Sequence, residues 1–304
     1  MISKFKYMFY LNVEGGLKAA AHNPNVSAEK QQESLDKASK IHEECTGNPL
    51  KETIEKESKE RTSPENALSS VSTLIVGNKE AMVVDLPFLN SAECDPISFI
   101  KKKTHLPGTK VFSTHEHPDH FSGGTELLKV FLAQWTPAYG KQEIPQSSTL
   151  PKPYERTIIR LKGDDNEPTH LLQPLQGDVD DLTVLWVPSQ KTVITVDLVY
   201  AGNEHIWLTE AEAPINRDNW ISSLTFLQSL KQQRVIGGHV PSEVQPKVSD
   251  LLATKDYVSY FNTEIFGKSS SGKEIYAKMS AKFPTLQSII TLNITTQTYG
   301  RDSN

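Results

Sequence analysis

The chain has 304 residues, 37% of them hydrophobic, enough for a substantial buried core in a single domain. Its 32 lysines and arginines stand against 37 aspartates and glutamates, a net charge of −5 with no long basic run, which excludes the usual electrostatic footprint of a nucleic-acid binder. Only two cysteines occur, Cys45 and Cys94, too few for a disulfide framework or a thiolate metal site, so any bound metal must be held by nitrogen and oxygen.

In chain order, "MISKFKYMFYLNVEGG" carries lysines and then a short apolar run interrupted by Asn12. It makes a poor secretory signal and reads as an opening strand or helix. No stretch approaches the roughly 18 apolar residues of a membrane span, which predicts a soluble, cytoplasmic protein, with secretion left open. Residues 23–68 are polar and rich in helix formers. Leu35, Ala38, Ile41 and Cys45 fall at helical spacing, and "GNPLKETIEK" offers Asn48 as a cap and Pro49 at the first helical position. The expectation is a helical insertion, either simply solvated or acting as a dimer contact or an active-site wall.

From residue 70 the texture changes to short apolar strands separated by turns. "STLIVG" and "AMVVDLPF" flank "NKE" as a hairpin, "DPISFIKKK" reads as a helix whose lysines 101–103 suit its C-terminal end, and "TKVFST" reads as a buried strand. Strands follow at "RTIIRL", "TVLWVPS" and "KTVITVDLVY", then a helix over "RDNWISSLTFLQSLKQQ" and a strand at "RVIGGH". The tail reads as helices in "YVSYFNTEIFGK" and "GKEIYAKMSAKFP" and a strand in "SIITLNITTQTY". Polar residues gather just past strand ends, where α/β sheets usually carry their sites. The expected organisation is one domain over 1–304, with the insertion at 23–68, a core at 70–245 and C-terminal helices and tail at 246–304.

Chemistry concentrates in "VFSTHEHPDHFSGG", residues 111–124, which holds three of the nine histidines. Neutral imidazole is a common ligand for Zn²⁺ and related metals, and His115 and His117, separated by one residue just past a strand, can both be aimed at one ion. Asp119 and His120 follow at once and supply a carboxylate and an imidazole for a second ion nearby.

This H-x-H-x-D-H run resembles the signature of the metallo-β-lactamase fold superfamily, and the resemblance covers residues 70 to about 245. It implies an α/β fold, an αβ/βα sandwich of two mixed sheets with outer helices, and later ligands at successive strand ends. Asp197 in "VITVDLVY" resembles the bridging carboxylate and His239 in "VIGGHVP" the last histidine. One position departs from the pattern. Where most of the family has a histidine, "LLQPLQGDVDDLTVLWVPS" has none, and His170 upstream belongs to the preceding strand. Matching "DDLTVLWVP" places Gln176 at the missing ligand with Asp178 two residues on. Asp178 is the preferred substitute, because a carboxylate is a far better cation ligand than an amide. A similar Gln-Gly-Asp variant marks fungal-type members. A second departure is Val196, where a glycine usually precedes the bridging aspartate.

The resemblance implies a hydrolase in which metal-bound hydroxide attacks the carbonyl of a small cyclic amide or ester, a lactam or lactone, with His115, His117, Asp119, His120, Asp178, Asp197 and His239 as ligands. Two Zn²⁺ ions are expected, with Mn²⁺ or Fe²⁺ as alternatives. Asp119 would orient the attacking hydroxide or pass a proton to the leaving group. His205, in "AGNEHIWLTEAE", is the candidate donor to a substrate oxygen, and Tyr200 and Trp207 either line the site or pack. Alternatives are a thioester hydrolase, an iron-dependent oxygenase on the same fold, or a scaffold that lost a metal ligand. The expected partner is a small carbonyl molecule, with neither nucleic acid nor membrane and with a possible second copy as a homodimer.

Overall fold

The structure, a computed structural model, describes residues 7–12, 70–86, 100, 103–106, 110–121, 152–200, 204–240, 245–269, 271–287 and 289–300. The 23–68 insertion, both cysteines and most of the helix expected over "DPISFIKKK" lie outside the described residues. Backbone contacts divide the chain into two compact units, residues 1–155 with 161–166, and residues 156–160 with 167–304.

The first unit holds a mixed sheet of four strands in the order β1 (Tyr7–Asn12), β2 (Val71–Val76), β3 (Ala81–Val84) and β4 (Lys110–Phe112). The opening segment, readable as strand or helix, is thus a strand, antiparallel to β2. The expected hairpin is present: β2 and β3 are antiparallel, Val76 faces Ala81, and Gly77 N–H donates to Glu80 O at 2.9 Å across the turn. Every residue of both strands is buried, so they read as continuous apolar runs rather than alternating ones. Leu74, Val76, Ala81 and Val83 form their core, with Leu86, Ile100 and Leu106 against it. Asp164 clasps the turn, accepting the Asn78 N–H at 2.8 Å and the Asn78 side-chain amide at 2.6 Å. A Cβ on Gly77 would sit 2.2 Å from the same carboxylate, which explains the glycine.

The "TKVFST" strand differs from expectation. It forms β4, parallel to β3, but Val111 is 58% exposed. The strand order puts β4 at the end of the sheet, and apolar content alone does not reveal an edge. Its Lys110 reaches Glu80 at 2.7 Å. Burial works against the Glu80 carboxylate, but the Lys110 ammonium and the Lys162 N–H outweigh it and hold the pKa below the usual range.

The second unit carries a mixed five-stranded sheet in sequence order, β5 (Ile158–Ile159), β6 (Thr169–Leu175), β7 (Leu182–Val187), β8 (Thr192–Tyr200) and β9 (Arg234–His239). Strands β5 to β8 are antiparallel neighbours and β9 runs parallel to β8. The parallel pair requires a crossover, supplied by α2 (Pro214–Ser229); a short α1 (Pro118–Phe121) precedes it in the first unit. Helix α2 starts and ends earlier than the 217–233 read from sequence. Pro214 suits its first turn, and Lys231, at φ 53°, takes up the left-handed conformation that stops a helix. Trp220 of α2 is fully buried and donates its indole N–H to Leu198 O at 2.9 Å, tying the helix to β8.

At the C-terminus, the helix expected over 257–268 begins seven residues earlier, as α3 (Asp250–Tyr260), and continues into a π-helical turn (Phe261–Ile265), while α4 (Gly272–Lys282) matches the second expected helix. The last segment is a helix, α5 (Ile289–Tyr299), where its β-branched content had suggested a strand. Thr291, Leu292, Thr295 and Thr296 are its buried residues, a spacing of 3.6 rather than 2. Thr296 and Thr298 turn their hydroxyls back on Asn293 O and Ile294 O, which satisfies them inside the helix.

Arg217, fully buried on α2, gathers these C-terminal elements. Its Nε donates to Asn262 Oδ1 at 3.0 Å and its Nη1 donates to Ala211 O, to Glu212 O and to the Tyr299 hydroxyl. The guanidinium lies 4.2 Å over the Phe266 ring. A lysine has neither the fork nor the planar stack. Arg217→Lys is therefore expected to lower stability by about 3 kcal/mol, read as a reduced urea midpoint. An unchanged midpoint would mean that these contacts contribute no net stability.

Candidate metal centre

In the first unit the site grows out of the ends of two strands. Asp85 follows β3, and Thr114 and His115 follow β4; the ladder continues one step past β3, with Asp85 N–H donating to Phe112 O at 2.8 Å. The Asp85 carboxylate is 1% exposed and faces the "THEHPDH" loop. It accepts the Thr114 N–H at 2.9 Å, the Thr114 hydroxyl at 2.8 Å and the His120 Nδ1–H at 2.8 Å. Burial pushes the Asp85 carboxyl above the usual carboxylate range, and His120 and Thr114 pull the other way; three donors on two oxygens suit the ionised form.

This arrangement sets both imidazole tautomers. The Thr114 hydroxyl has one hydrogen, spent on Asp85, so the oxygen accepts from His115 Nδ1–H, 3.0 Å away. His120 likewise spends its Nδ1–H on Asp85. In each ring the lone pair then lies on Nε2, the tautomer that carboxylate–histidine–metal relays use. The His115 ring packs 4.9 Å from His117 and 4.3 Å from His120, and Asp119 Oδ2 lies 3.5 Å from His120 Nε2. His115 and His117 offer nitrogens within 4.8 Å of one another, and so do the donor atoms of Asp119 and His120. His120 N–H donating to His117 O at 3.0 Å closes the turn that groups them.

In the second unit, Asp178 lies between β6 and β7, Asp197 within β8 and His239 at the end of β9. Each is 1% exposed. His239 Nε2 is 2.9 Å from Asp197 Oδ2, within hydrogen-bond distance, so the imidazole and the carboxylate converge on one point. Asp178 and Asp197 also offer oxygens within 4.8 Å of one another. Glycine makes this possible: a Cβ on Gly238 would stand 1.9 Å from Asp197 Oδ1, and one on Gly237 2.3 Å from Val199 O. Val196, where a glycine was expected from the resemblance, holds the left-handed φ of 41° while fully packed.

The Gln176 and Asp178 side chains go different ways. Gln176 donates to Gly177 O and accepts from Asn216 Nδ2, on the wall of a shallow 540 Å³ cleft lined also by Asn219, Ser222 and Phe226. Asp178 turns inward, its Oδ1 accepting the Val179 N–H at 2.9 Å and its Oδ2 the Tyr200 hydroxyl at 3.3 Å.

His205 is 2% exposed, with Nδ1 3.0 Å from the Tyr257 hydroxyl of α3, its N–H donating to Gln287 O and its carbonyl accepting from Thr291 of α5. These contacts tie it to the C-terminal helices, and Trp207 beside it is buried as well. Asp85, which holds Thr114 and His120, is the residue of the candidate site that sequence reasoning missed. Its one signal is an aspartate directly after an all-apolar strand, and its left-handed φ of 59° is invisible in sequence.

The ligand chemistry fits a metal: imidazoles with preset tautomers in one unit, and two buried carboxylates with an imidazole in the other. Comparison with known families agrees. The metallo-β-lactamase superfamily profile matches residues 66–239, more than half of the chain, and a conidiation protein 6 profile matches residues 11–37. Among solved structures, a metallo-β-lactamase from Pontibacter korlensis is 18% identical with a TM-score of 0.43, covering 66% of this chain and 91% of that one. DIM-1 metallo-β-lactamase exposed to ceftazidime is 20% identical with a TM-score of 0.42, covering 63% and 85%. Metallo-β-lactamase IND-7 is 22% identical with a TM-score of 0.44, covering 64% and 90%. No curated protein matches the chain.

Two outcomes test this geometry. Gly238→Ala pushes a methyl into Asp197, so it is expected to reduce metal retained through gel filtration while Gly267→Ala, in open space but at φ 70°, does not; equal retention in both would show that Asp197 is not held by that close approach. Burial pushes His205 down to about 4 from 6.5. The unfolded chain then binds the extra proton between those values, so stability falls as pH drops from 6.5 towards 4, by up to about 3 kcal/mol. Thermal midpoints across that range should decline less in His205→Gln than in the parent; parallel declines would place the acid sensitivity elsewhere.

Proposed function

The chain belongs to the metallo-β-lactamase superfamily, and on that premise we propose that it is a metal-dependent hydrolase that opens a small cyclic amide or ester of the lactam or lactone type. The observation that carries this reading is the donor set, imidazoles and carboxylates only, with each unit grouping its own donors. The proposed ligands are His115, His117, Asp119 and His120 in the first unit and Asp178, Asp197 and His239 in the second. The proposed ions are two Zn²⁺; the carboxylates Asp119, Asp178 and Asp197 also suit the harder Mn²⁺ or Fe²⁺. When bound, such ions lower the pKa of water and polarise a carbonyl oxygen.

The chain's own residues supply the rest. Asp85, through His120 directly and through Thr114 to His115, fixes which ring nitrogens coordinate. Asp119, whose side chain is 13% exposed, has the solvent access required to orient the attacking water and hand a proton to the leaving group. His205, kept neutral by burial, is the candidate donor to a substrate oxygen. The partner proposed is a small carbonyl compound, with a second copy of the chain possible and a cytoplasmic setting; among the described residues no helix is long and apolar enough to cross a membrane.

Metal content by inductively coupled plasma mass spectrometry, on protein purified without chelator, is expected to approach two ions per chain, and to fall to one or fewer in Asp178→Ala. Hydrolysis of a panel of lactams, lactones and thioesters should be lost after chelation and restored by added metal, with lactams or lactones preferred. A chain that takes up no metal when supplied with it would end the catalytic reading and favour a scaffold.

A further inference from the structure

Tyr200 sits at the end of β8, 1% exposed, three residues beyond Asp197. In a regular strand residues three apart point to opposite faces. Here both reach His239: Asp197 Oδ2 lies 2.9 Å from its Nε2, and the Tyr200 ring packs 4.8 Å from the imidazole at an interplanar angle of 32°. The backbone accounts for this. The β8–β9 register shifts between Ile194 and Val196 and again between Val196 and Tyr200, and Val196 takes a left-handed φ of 41°. Bulges of this kind re-aim a side chain.

The re-aimed phenol places its hydroxyl 3.3 Å from Asp178 Oδ2. With the Val179 N–H on Oδ1, both oxygens of Asp178 accept hydrogen bonds, and a carboxylate has about four lone-pair sites, so such bonds are compatible with binding a cation. A histidine ligand carries its own second N–H by which neighbours can anchor it, as Asp85 anchors His120. An aspartate has no such handle and needs a donor brought to it.

We propose that Tyr200 is a positioning residue of the metal centre, its hydroxyl fixing the Asp178 carboxylate and its ring fixing His239, so that this aspartate serves where the family pattern has a histidine. The proposal rests on the metal-dependent reading above. Phenylalanine would pack on His239 equally well; the hydroxyl is what Asp178 requires.

The test is competition with a chromophoric zinc chelator on the full chain, applied to the parent, Tyr200→Phe, Asp178→Asn and the double variant, with circular dichroism and thermal midpoints alongside. Tyr200→Phe is expected to keep its fold and to weaken one ion about tenfold or more. In the Asp178→Asn background the same change should add little, because the two side chains act as a pair. A Tyr200→Phe protein that binds both ions as tightly as the parent would overturn the role of the hydroxyl while leaving the metal reading intact. An equal further loss in the double variant, or failure of Tyr200→Phe to fold, would also overturn it, assigning Tyr200 to other ligands or to sheet stability. A parent that binds no zinc would instead defeat the metal reading itself.

Discussion

Like charge held close together in a buried place is the constraint around which the second unit is arranged. Asp178 and Asp197, each 1% exposed, present oxygens within 4.8 Å of one another. At an effective dielectric of about 20, two such charges repel by about 3 kcal/mol, a large fraction of a typical domain's net stability. A chain keeps that arrangement where a cation offsets it. His239, 2.9 Å from Asp197, and the donors on Asp178 organise the pair without cancelling two negative charges.

The first unit solves a complementary problem. Imidazoles coordinate only through an unprotonated nitrogen, and a histidine in solution exchanges its hydrogen between two positions. One buried acid, Asp85, removes that ambiguity for His120 directly and for His115 through the single hydrogen of Thr114. It also draws in the Thr114 N–H, so the group that selects the tautomers shapes the loop carrying them. Tautomer and loop conformation are therefore linked, and a change at Asp85 would disturb both.

What could be read in the sequence was whatever a local pattern carries. "STLIVG" and "AMVVDLPF" with a polar turn gave the hairpin, and the clustered histidines gave half of the candidate metal site without any knowledge of the fold. Asp197 and His239 came from the resemblance alone, since one acid in an apolar strand and one histidine after two glycines have no periodic signature. Three kinds of information were missing. Exposure depends on neighbours, so β4 looked buried although Val111 is 58% exposed. Helix or strand in α5 turned on the spacing of buried threonines, which β-branched content obscures. The roles of Asp85 and Tyr200 depend on left-handed conformations at Asp85 and Val196, which an aspartate tolerates without announcing and a valine disfavours.

That last point bears on why valine stands at 196. A strand buried at all nine positions has to alternate its side chains, yet β8 must bring both Asp197 and Tyr200 onto His239. A bulge meets both demands, and a β-branched residue in its left-handed turn costs of order 1–3 kcal/mol. Glycine would avoid that strain but would lose more backbone entropy on folding and leave the buried space of an isopropyl group unfilled. Valine accepts a local cost to keep the core packed, and Gly237 and Gly238 provide room for the bent strand on the β9 side. The resulting fixed turn is what allows a tyrosine three residues past one aspartate to serve as the donor for another.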